Sequence, residues 1–459
     1  MGRNGSAALQ QPALALPPKV SGLPLVGALP GLLKDRFEFL EAARQRHGDI
    51  FTLDLGLAEP IILCHPQHAQ HVLVDQLRKY SKGGAMWDSI RTFMGNSLPL
   101  SEGEFWKRQR RMIQPAFHHQ RLVALTEKMV EAIDESLARW EPAARTGEPF
   151  DAAAAFSHLT MNVMVRTMFG SGLADGEAER VGQALTYIID YMMRGMVTKS
   201  VPDWVPVPGR ARYREAIRYI DEVVFRIIER GQRAGEEDTL LALLLQAVDS
   251  ESGEKMSHAQ LRDEAVALFI AGYETTSVGL SWALHLLPRH AEPARRLRAE
   301  VDAGLGQRVP GFADLRQLGH TRNVFQESLR LYAPTYWIPR LTEEDDEIDG
   351  YRIPKGRSVA VFSHLIHHHP AIWEEPRRFD PDRFTPERIE GRHRHAWMPF
   401  GAGQRQCIGK EFALMEGQLA LARVFQRYEV SAVPGREAQL HISTSLRAKD
   451  GVWVHLKAR

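Results

Sequence analysis

The residues with the clearest chemical potential lie in "MPFGAGQRQCIGKEFALME", Met398 to Glu416. The chain has two cysteines in 459 residues, and one of them, Cys407, stands between a glycine-rich loop and an apolar pattern of helical period. A helix N-terminus and a nearby arginine, Arg405, both favour a thiolate over a thiol. Gly401, Gly403 and Gly409 remove side chains around the sulfur, so a flat, bulky group can approach the backbone closely. This reads as a loop that presents sulfur to a metal cofactor. A dinucleotide fingerprint fails here, because "GAGQRQ" puts Gln406 where the third glycine belongs. A cysteine hydrolase needs a partnered histidine, which the sequence alone leaves open.

The elements that must hold this loop are mostly helical. Periodicity predicts helices over 35–47, 67–78, 104–114, 118–140, 153–169, 176–195, 210–233, 237–248, 257–288, 291–304, 321–332 and 408–427. Strands are expected as a hairpin in "DIFTLDLGLAEPIILCHP", as a pair in "DEIDGYRIPKGRSVAVFSH", and in the terminal "AQLHISTSLRAKDGVWVHLK". The expectation is one mainly α domain with small β regions over residues 21–459, preceded by a flexible Pro/Ala-rich segment, 1–20.

With 44% hydrophobic and 25% charged residues and a formal net charge of +1, the chain is an ordinary globular protein. That balance argues against a general nucleic-acid or membrane-surface role. Two cysteines cannot form a disulfide framework, and a cytoplasmic location is the default expectation. The N-terminus lacks a compact apolar signal core, so no membrane anchor is expected. Residues 265–287 have membrane-spanning length, but Glu274 at the centre is costly in lipid. A helix buried on all faces in a globular protein fits them better.

Taken together, Phe400, Gly403, Arg405, Cys407, Gly409, Phe412, Ala413 and Glu416 resemble the signature of the cytochromes P450, the haem-thiolate monooxygenases. Three further motifs follow the family's order. "AGYETT" contains Ala271 and Gly272, then Glu274 and Thr275 at the positions of the family's acid–alcohol pair. Ala271 and Thr275 are four apart and share a helix face. Gly272 costs about 1 kcal/mol inside a helix, a cost that oxygen and substrate filling the space beside it would explain. "FQESLR" with "WEEPRRFDPDRF" resembles the family's buried Glu–Arg–Arg network, here Glu327, Arg330 and Arg383. "WKRQRR" supplies Trp106 and Arg110 as a clamp for a haem propionate, with Arg340 as a further partner.

The resemblance implies the cytochrome P450 fold, a single triangular domain around a buried haem b (iron protoporphyrin IX). Cys407 would be the axial iron ligand, shielded by Phe400, with Arg405 on a propionate. The implied activity is hydroxylation or epoxidation of a lipophilic small molecule, such as a fatty acid, terpenoid or polyketide, using O2. Protons would pass Thr275 and Glu274. Electrons would come from a separate ferredoxin or flavodoxin, because the chain carries no flavin or iron–sulfur motif, and a monomer is expected. Lys107, Arg108, Arg111 and Lys410 form the expected landing patch. A peroxygenase or isomerase of the same family, or a haem-binding carrier or sensor without turnover, are the alternatives; product formation with NADPH and surrogate reductases separates them.

Substrate-lining residues are expected at Trp87, Phe93, Met94, Leu98, Met192 to Val197, Phe269, Tyr336 to Ile338 and Ser443 to Ser445. The chain departs from the family at "HHHP", His367 to Pro370, where the histidines read as solvated or capping rather than zinc-binding. Arg392 to His395 read as a solvated loop, with partner docking as the lesser reading, and Cys64 as an inert buried thiol.

Overall fold

The computed structural model describes residues 14–56, 58–170, 177–198, 204–234 and 239–459. Most of the expected leader, 1–13, lies outside the described residues; at its end Lys19–Val20 form a strand parallel to Thr52 and Leu53.

The longest element is the helix His258–Leu286. It starts where Ser257 accepts a hydrogen bond from the Gln260 N–H (3.2 Å), satisfying a donor that helix geometry leaves free. Glycines let its neighbours approach. A Cβ on Gly279 would fall 2.7 Å from Leu329 and 3.0 Å from Phe325, on the helix Gly319–Leu331. A Cβ on Gly417, in the helix Lys410–Arg427, would fall 2.2 Å from the same Phe325 ring. One phenylalanine is thus wedged between two glycine notches and fixes the spacing of three core helices. No helix among the described residues is long and apolar enough to cross a membrane.

The β structure is small and split. The main sheet runs Lys19–Val20, Ile50–Leu53, Ile61–Leu63, Ser358–Val361, Ile338–Thr342, Tyr80–Ser81. It contains the expected hairpin, with Phe51 opposite Ile62. Asp346–Ile348 and Tyr351–Ile353 pair with each other, as do Leu440–Ile442 and Leu446–Ala448. Trp453–Ala458 joins Tyr428–Ala432 and Phe150–Asp151 in a further, three-stranded sheet.

Two local readings change. The single helix expected over 67–78 is three short pieces: α-helical Pro66–Gln70, a π turn His71–Asp75 and a 3₁₀ turn Leu77–Lys79. This irregular stretch carries the Leu73 carbonyl against the cysteine loop, 2.3 Å from where a Cβ on Gly403 would lie. A ten-residue helix, Ala85–Met94, stands where only lining residues were expected. The glycine pair just before it, Gly83 and Gly84, reads as a breaker and hides the start.

Candidate active site

The cysteine loop is held by its own backbone. The Cys407 N–H donates to the Phe400 carbonyl (2.9 Å), and Gly401 and Gly403 sit at φ +71° and +66°, where a Cβ is strained. The demand at Gly403 therefore comes from its own dihedrals and the Leu73 carbonyl, rather than from an approaching cofactor. Around Gly409 a Cβ would meet only ordinary contacts, 3.8 Å from Phe117 and 4.0 Å from the Cys407 sulfur.

Burial pushes the Cys407 thiol up, and the Gly409 N–H and the Arg110 charge pull it back. Arg405 does not act on the sulfur as expected. It donates to the Ser101 carbonyl (2.7 Å), pairs with Glu102, and lies 3.9 Å over the Trp106 ring.

Cys407 opens onto an internal cavity, lined on one side by Phe400, Ile408, Gly409, Phe412 and Ala413, and on the other by Ala271, Gly272, Thr275 and Thr276. The cavity volume is about 230 Å³, somewhat below the ~300–1,000 Å³ usual for ligand and cofactor sites. The shared face expected for Ala271 and Thr275 is thus present. Thr275 Oγ1 donates back to the Ala271 carbonyl (2.6 Å), a common resting arrangement for a helical threonine. Gly272 has a second reason to be small: a Cβ would fall 2.3 Å from the sulfur of Met164 on the helix Ala152–Phe169. Glu274, in contrast, turns out of the cavity, and its Oε1 accepts from Ser445 (2.6 Å) and from Arg447 Nε (2.9 Å) and Nη2 (2.6 Å).

Beside the cavity, cations collect around too few acids. Lys82 and Arg340 are buried close to Arg405, and the Glu102 carboxylate acts on all three. Desolvation, reinforced by its cationic neighbours, holds the Lys82 ammonium well below its ordinary pKa; burial brings the Arg340 guanidinium to about 10. Arg110 donates to the Gln406 carbonyl (3.1 Å). Lys82 was not legible as a site residue, since an isolated lysine after a short strand carries no sequence signal.

Behind the loop, Arg330 grips Glu327 through two hydrogen bonds (2.7 and 2.8 Å), with neither side chain exposed. Arg383 Nε lies 3.3 Å from Glu327, and its Nη2 donates to the Glu375 carbonyl (3.0 Å). Arg330 also donates to the carbonyls of His367 (2.6 Å) and Pro376 (2.7 Å).

Of the two roles expected for the histidine run, solvated is corrected and capping is met: His367, His368 and His369 are buried, and the Ala371 N–H donates to Nδ1 of His369 (3.2 Å). His367 bonds the Arg330 carbonyl through Nδ1 (3.1 Å) and takes the Met398 N–H at Nε2 (2.9 Å), so it is a neutral Nδ1–H imidazole. His369 meets Asp49 (3.0 Å). Arg392 to His395 are likewise not a free loop, for Arg392 lies 4.4 Å over Trp373 and His395 is buried. Cys64 is fully buried, as expected.

The expected substrate-lining residues fall off this cavity. Phe93 is wholly buried, and Tyr336 is fixed by Arg36 (2.9 Å) and the Ser443 carbonyl (2.8 Å). The side chains of Met193 to Val197 lie outside those described. Leu240, Leu268, Pro334 and Thr335 line it instead, with Met164 and Met168. The expected cationic landing patch is neutralised: Lys107 pairs with Glu104, Arg108 with Glu254, Arg111 with Asp249 and Glu251, and Lys410 lies 3.7 Å from Glu411. The acids at 249–254 are distant in sequence and meet the helix Gly103–Ile113 only through the fold.

A cysteine sulfur left open to a largely apolar cavity, with under-neutralised cations near its loop, is the constellation of a haem-thiolate enzyme. The chain belongs to the cytochrome P450 family, whose profile matches residues 17–451, and is a haem b monooxygenase. It is 35% identical over 415 residues to cyclooctat-9-en-7-ol 5-monooxygenase of Streptomyces melanosporofaciens, covering 90% of this chain and 89% of that one. Pentalenene oxygenase of Streptomyces avermitilis is 31% identical over 418 residues, covering 91% and 92%. The crystal structure of the cytochrome P450DA heme domain superposes with a TM-score of 0.87 at 28% identity, covering 97% of each chain.

The residues present fit that cofactor. A porphyrin has an apolar body, which the cavity walls match, and two carboxylates, for which Arg340 and Arg405 carry more positive charge than Glu102 balances, with Lys82 close beside them.

Proposed function

We propose that this protein inserts oxygen into an unactivated or olefinic carbon of a lipophilic small molecule, of terpenoid size and polarity, with electrons from a separate ferredoxin or flavodoxin. The observation that carries this reading is the shared cavity of Cys407 and Thr275, with an almost wholly apolar lining. The relatives named for terpenoid oxidation favour that substrate class.

Cys407 would be the sulfur ligand, Lys82, Trp106, Arg110, Arg340 and Arg405 would hold the propionates, and Phe400 would shield the sulfur. When bound, the haem supplies the redox chemistry, with thiolate ligation favouring O–O cleavage. The protein's own residues exclude water, orient substrate against apolar walls and control protons. Thr275 Oγ1, parked on the Ala271 carbonyl, turns its hydroxyl to carry a proton into the cavity. Glu274, its neighbour, replenishes it.

A terpenoid panel incubated with NADPH and surrogate reductases under ¹⁸O₂ tests this. The expected product carries one ¹⁸O. Products without label, or turnover confined to small polar compounds, would overturn it.

A further inference from the structure

The irregular stretch that carries the Leu73 carbonyl to the cysteine loop is tied at both ends to one carboxylate. Asp346, on the strand Asp346–Ile348, has a side chain only 5% exposed. Its Oδ2 accepts from His71 Nε2 (2.8 Å) and from the Tyr80 hydroxyl (2.7 Å), and its Oδ1 accepts from Lys79 Nζ (2.7 Å). His71 opens the π turn, while Lys79 and Tyr80 end the stretch where it enters the main sheet. Burial raises this carboxyl, but the three donors outweigh it and hold the group at about 2, so it stays an anion. Residues 71–80 thus form a strap with both ends on one anion. At its middle the Leu73 carbonyl oxygen lies 2.3 Å, and Val74 Cγ2 3.3 Å, from where a Cβ on Gly403 would stand. The contact is strap backbone against loop backbone, with no side chain on Gly403 to absorb a shift. Gly403 opens the 3₁₀ turn Gly403–Arg405, and its carbonyl accepts from the Gln406 N–H (3.1 Å), one residue before Cys407. Single π turns are rare and cluster at functional sites, yet residues 71–75 line no part of the Cys407 cavity.

We propose that Asp346 is a positioning residue for the cysteine ligand: by pinning both ends of the strap 71–80 it holds the Leu73 carbonyl against Gly403, and so fixes where Cys407 presents its sulfur. This rests on Cys407 as the sulfur ligand proposed above. At its far end the strap also has the sheet pairing of Tyr80 with Thr342 and the bond from the Glu343 N–H to the Lys79 carbonyl (2.8 Å). Loss of the anion is therefore felt mainly at the π turn, on the side of Gly403. The preceding residue gives the contrast. Asp345 accepts from Arg352 Nη2 (2.7 Å) and from the Lys355 N–H (2.8 Å), both in its own hairpin segment. Of two adjacent carboxylates, one closes the hairpin and the other reaches out of it to the strap.

Haem retention and the iron–sulfur bond read the strap without turnover. In Asp346→Asn, haem loss to a scavenging globin should speed up roughly tenfold, at the low end of the ~10–100-fold that outer-shell supports are worth to a metal site. The iron–sulfur stretch in the resonance Raman spectrum should shift and broaden in the same variant. Asp345→Asn should leave both at wild-type values, although it loosens the same hairpin. His71→Gln added to Asp346→Asn should bring little further change, because the two residues act through one contact. Lys79→Met cuts a single tie at a half-buried site and should give a smaller effect in the same direction. Equal haem loss in the two aspartate variants, or an unchanged stretch in Asp346→Asn, would overturn the strap; if Asp346→Asn does not fold, wild-type values in Lys79→Met would do so. The reduced carbon monoxide adduct of wild type keeps this failure apart from that of the ligand: without the red-shifted band of thiolate ligation, the Cys407 assignment itself falls, and the strap's role with it.

Discussion

Met398 donates its N–H to Nε2 of His367 at 2.9 Å, while Nδ1 of the same ring bonds the Arg330 carbonyl at 3.1 Å. One neutral imidazole thus joins the Glu327–Arg330 pair to the first residue of the cysteine loop. A protonated ring could not accept from Met398.

Burial and neighbouring cations or imidazoles hold His364 and His367 well below 6.5, and His368 at about 3. For a base with a lowered folded-state value, the stabilisation is full above the unfolded value, near 6.5, and is lost as pH falls below it. The melting temperature should therefore drop steadily from pH 7 to pH 5. A less steep drop is expected in His367→Gln, whose amide can both donate and accept. A flat profile in wild type would contradict the neutral-ring assignment.

Breaking the buried ion pair is the costliest single change expected. Glu327→Gln leaves Arg330 charged and unexposed, with a cost of roughly 3–5 kcal/mol. Guanidinium unfolding should show that loss together with poor haem retention. A cost below about 1 kcal/mol would mean that the carbonyls around Arg330 suffice without the carboxylate.

The Phe325 wedge makes a prediction about packing alone. Gly417→Ala puts a methyl into the ring and should cost about 1–3 kcal/mol, as overpacking does. Phe325→Leu in the same chain should recover part of it. Equal losses from the single and double variants would show that the backbone relaxes and the notch is not needed.

Thiol reactivity separates the two arginines beside Cys407. Arg110 stabilises the thiolate and Arg405 does not. In protein freed of haem, Arg110→Met should slow alkylation of Cys407 at a fixed pH, and Arg405→Met should leave it nearly unchanged, with Cys64 inert throughout. The reverse order would restore the assignment made from sequence proximity.

Much of this was legible in order along the chain, because short motifs carry local geometry. Cys407 with its glycines, "AGYETT" and the Glu327–Arg330 pair each sit within one turn or loop, so spacing alone predicts which face they share. What was not legible depends on contacts between remote segments. Lys82, Arg447 and Asp346 are single charged residues whose meaning comes from partners far away in sequence. The three histidines look solvated as a polar run, and only the packing of Phe37 against His364 and of Met398 against His367 shows that the segment is interior. The landing patch failed for the same reason: a local count of cations omits the acids that the fold returns to them.

The central claim is that Cys407 provides the sulfur to haem iron. The most direct test is the absorption spectrum of the reduced carbon monoxide adduct in wild type, Cys407→Ser and Cys64→Ser. Wild type and Cys64→Ser should show the strongly red-shifted Soret band of thiolate ligation, and Cys407→Ser should lack it. Persistence of that band in Cys407→Ser would contradict the assignment.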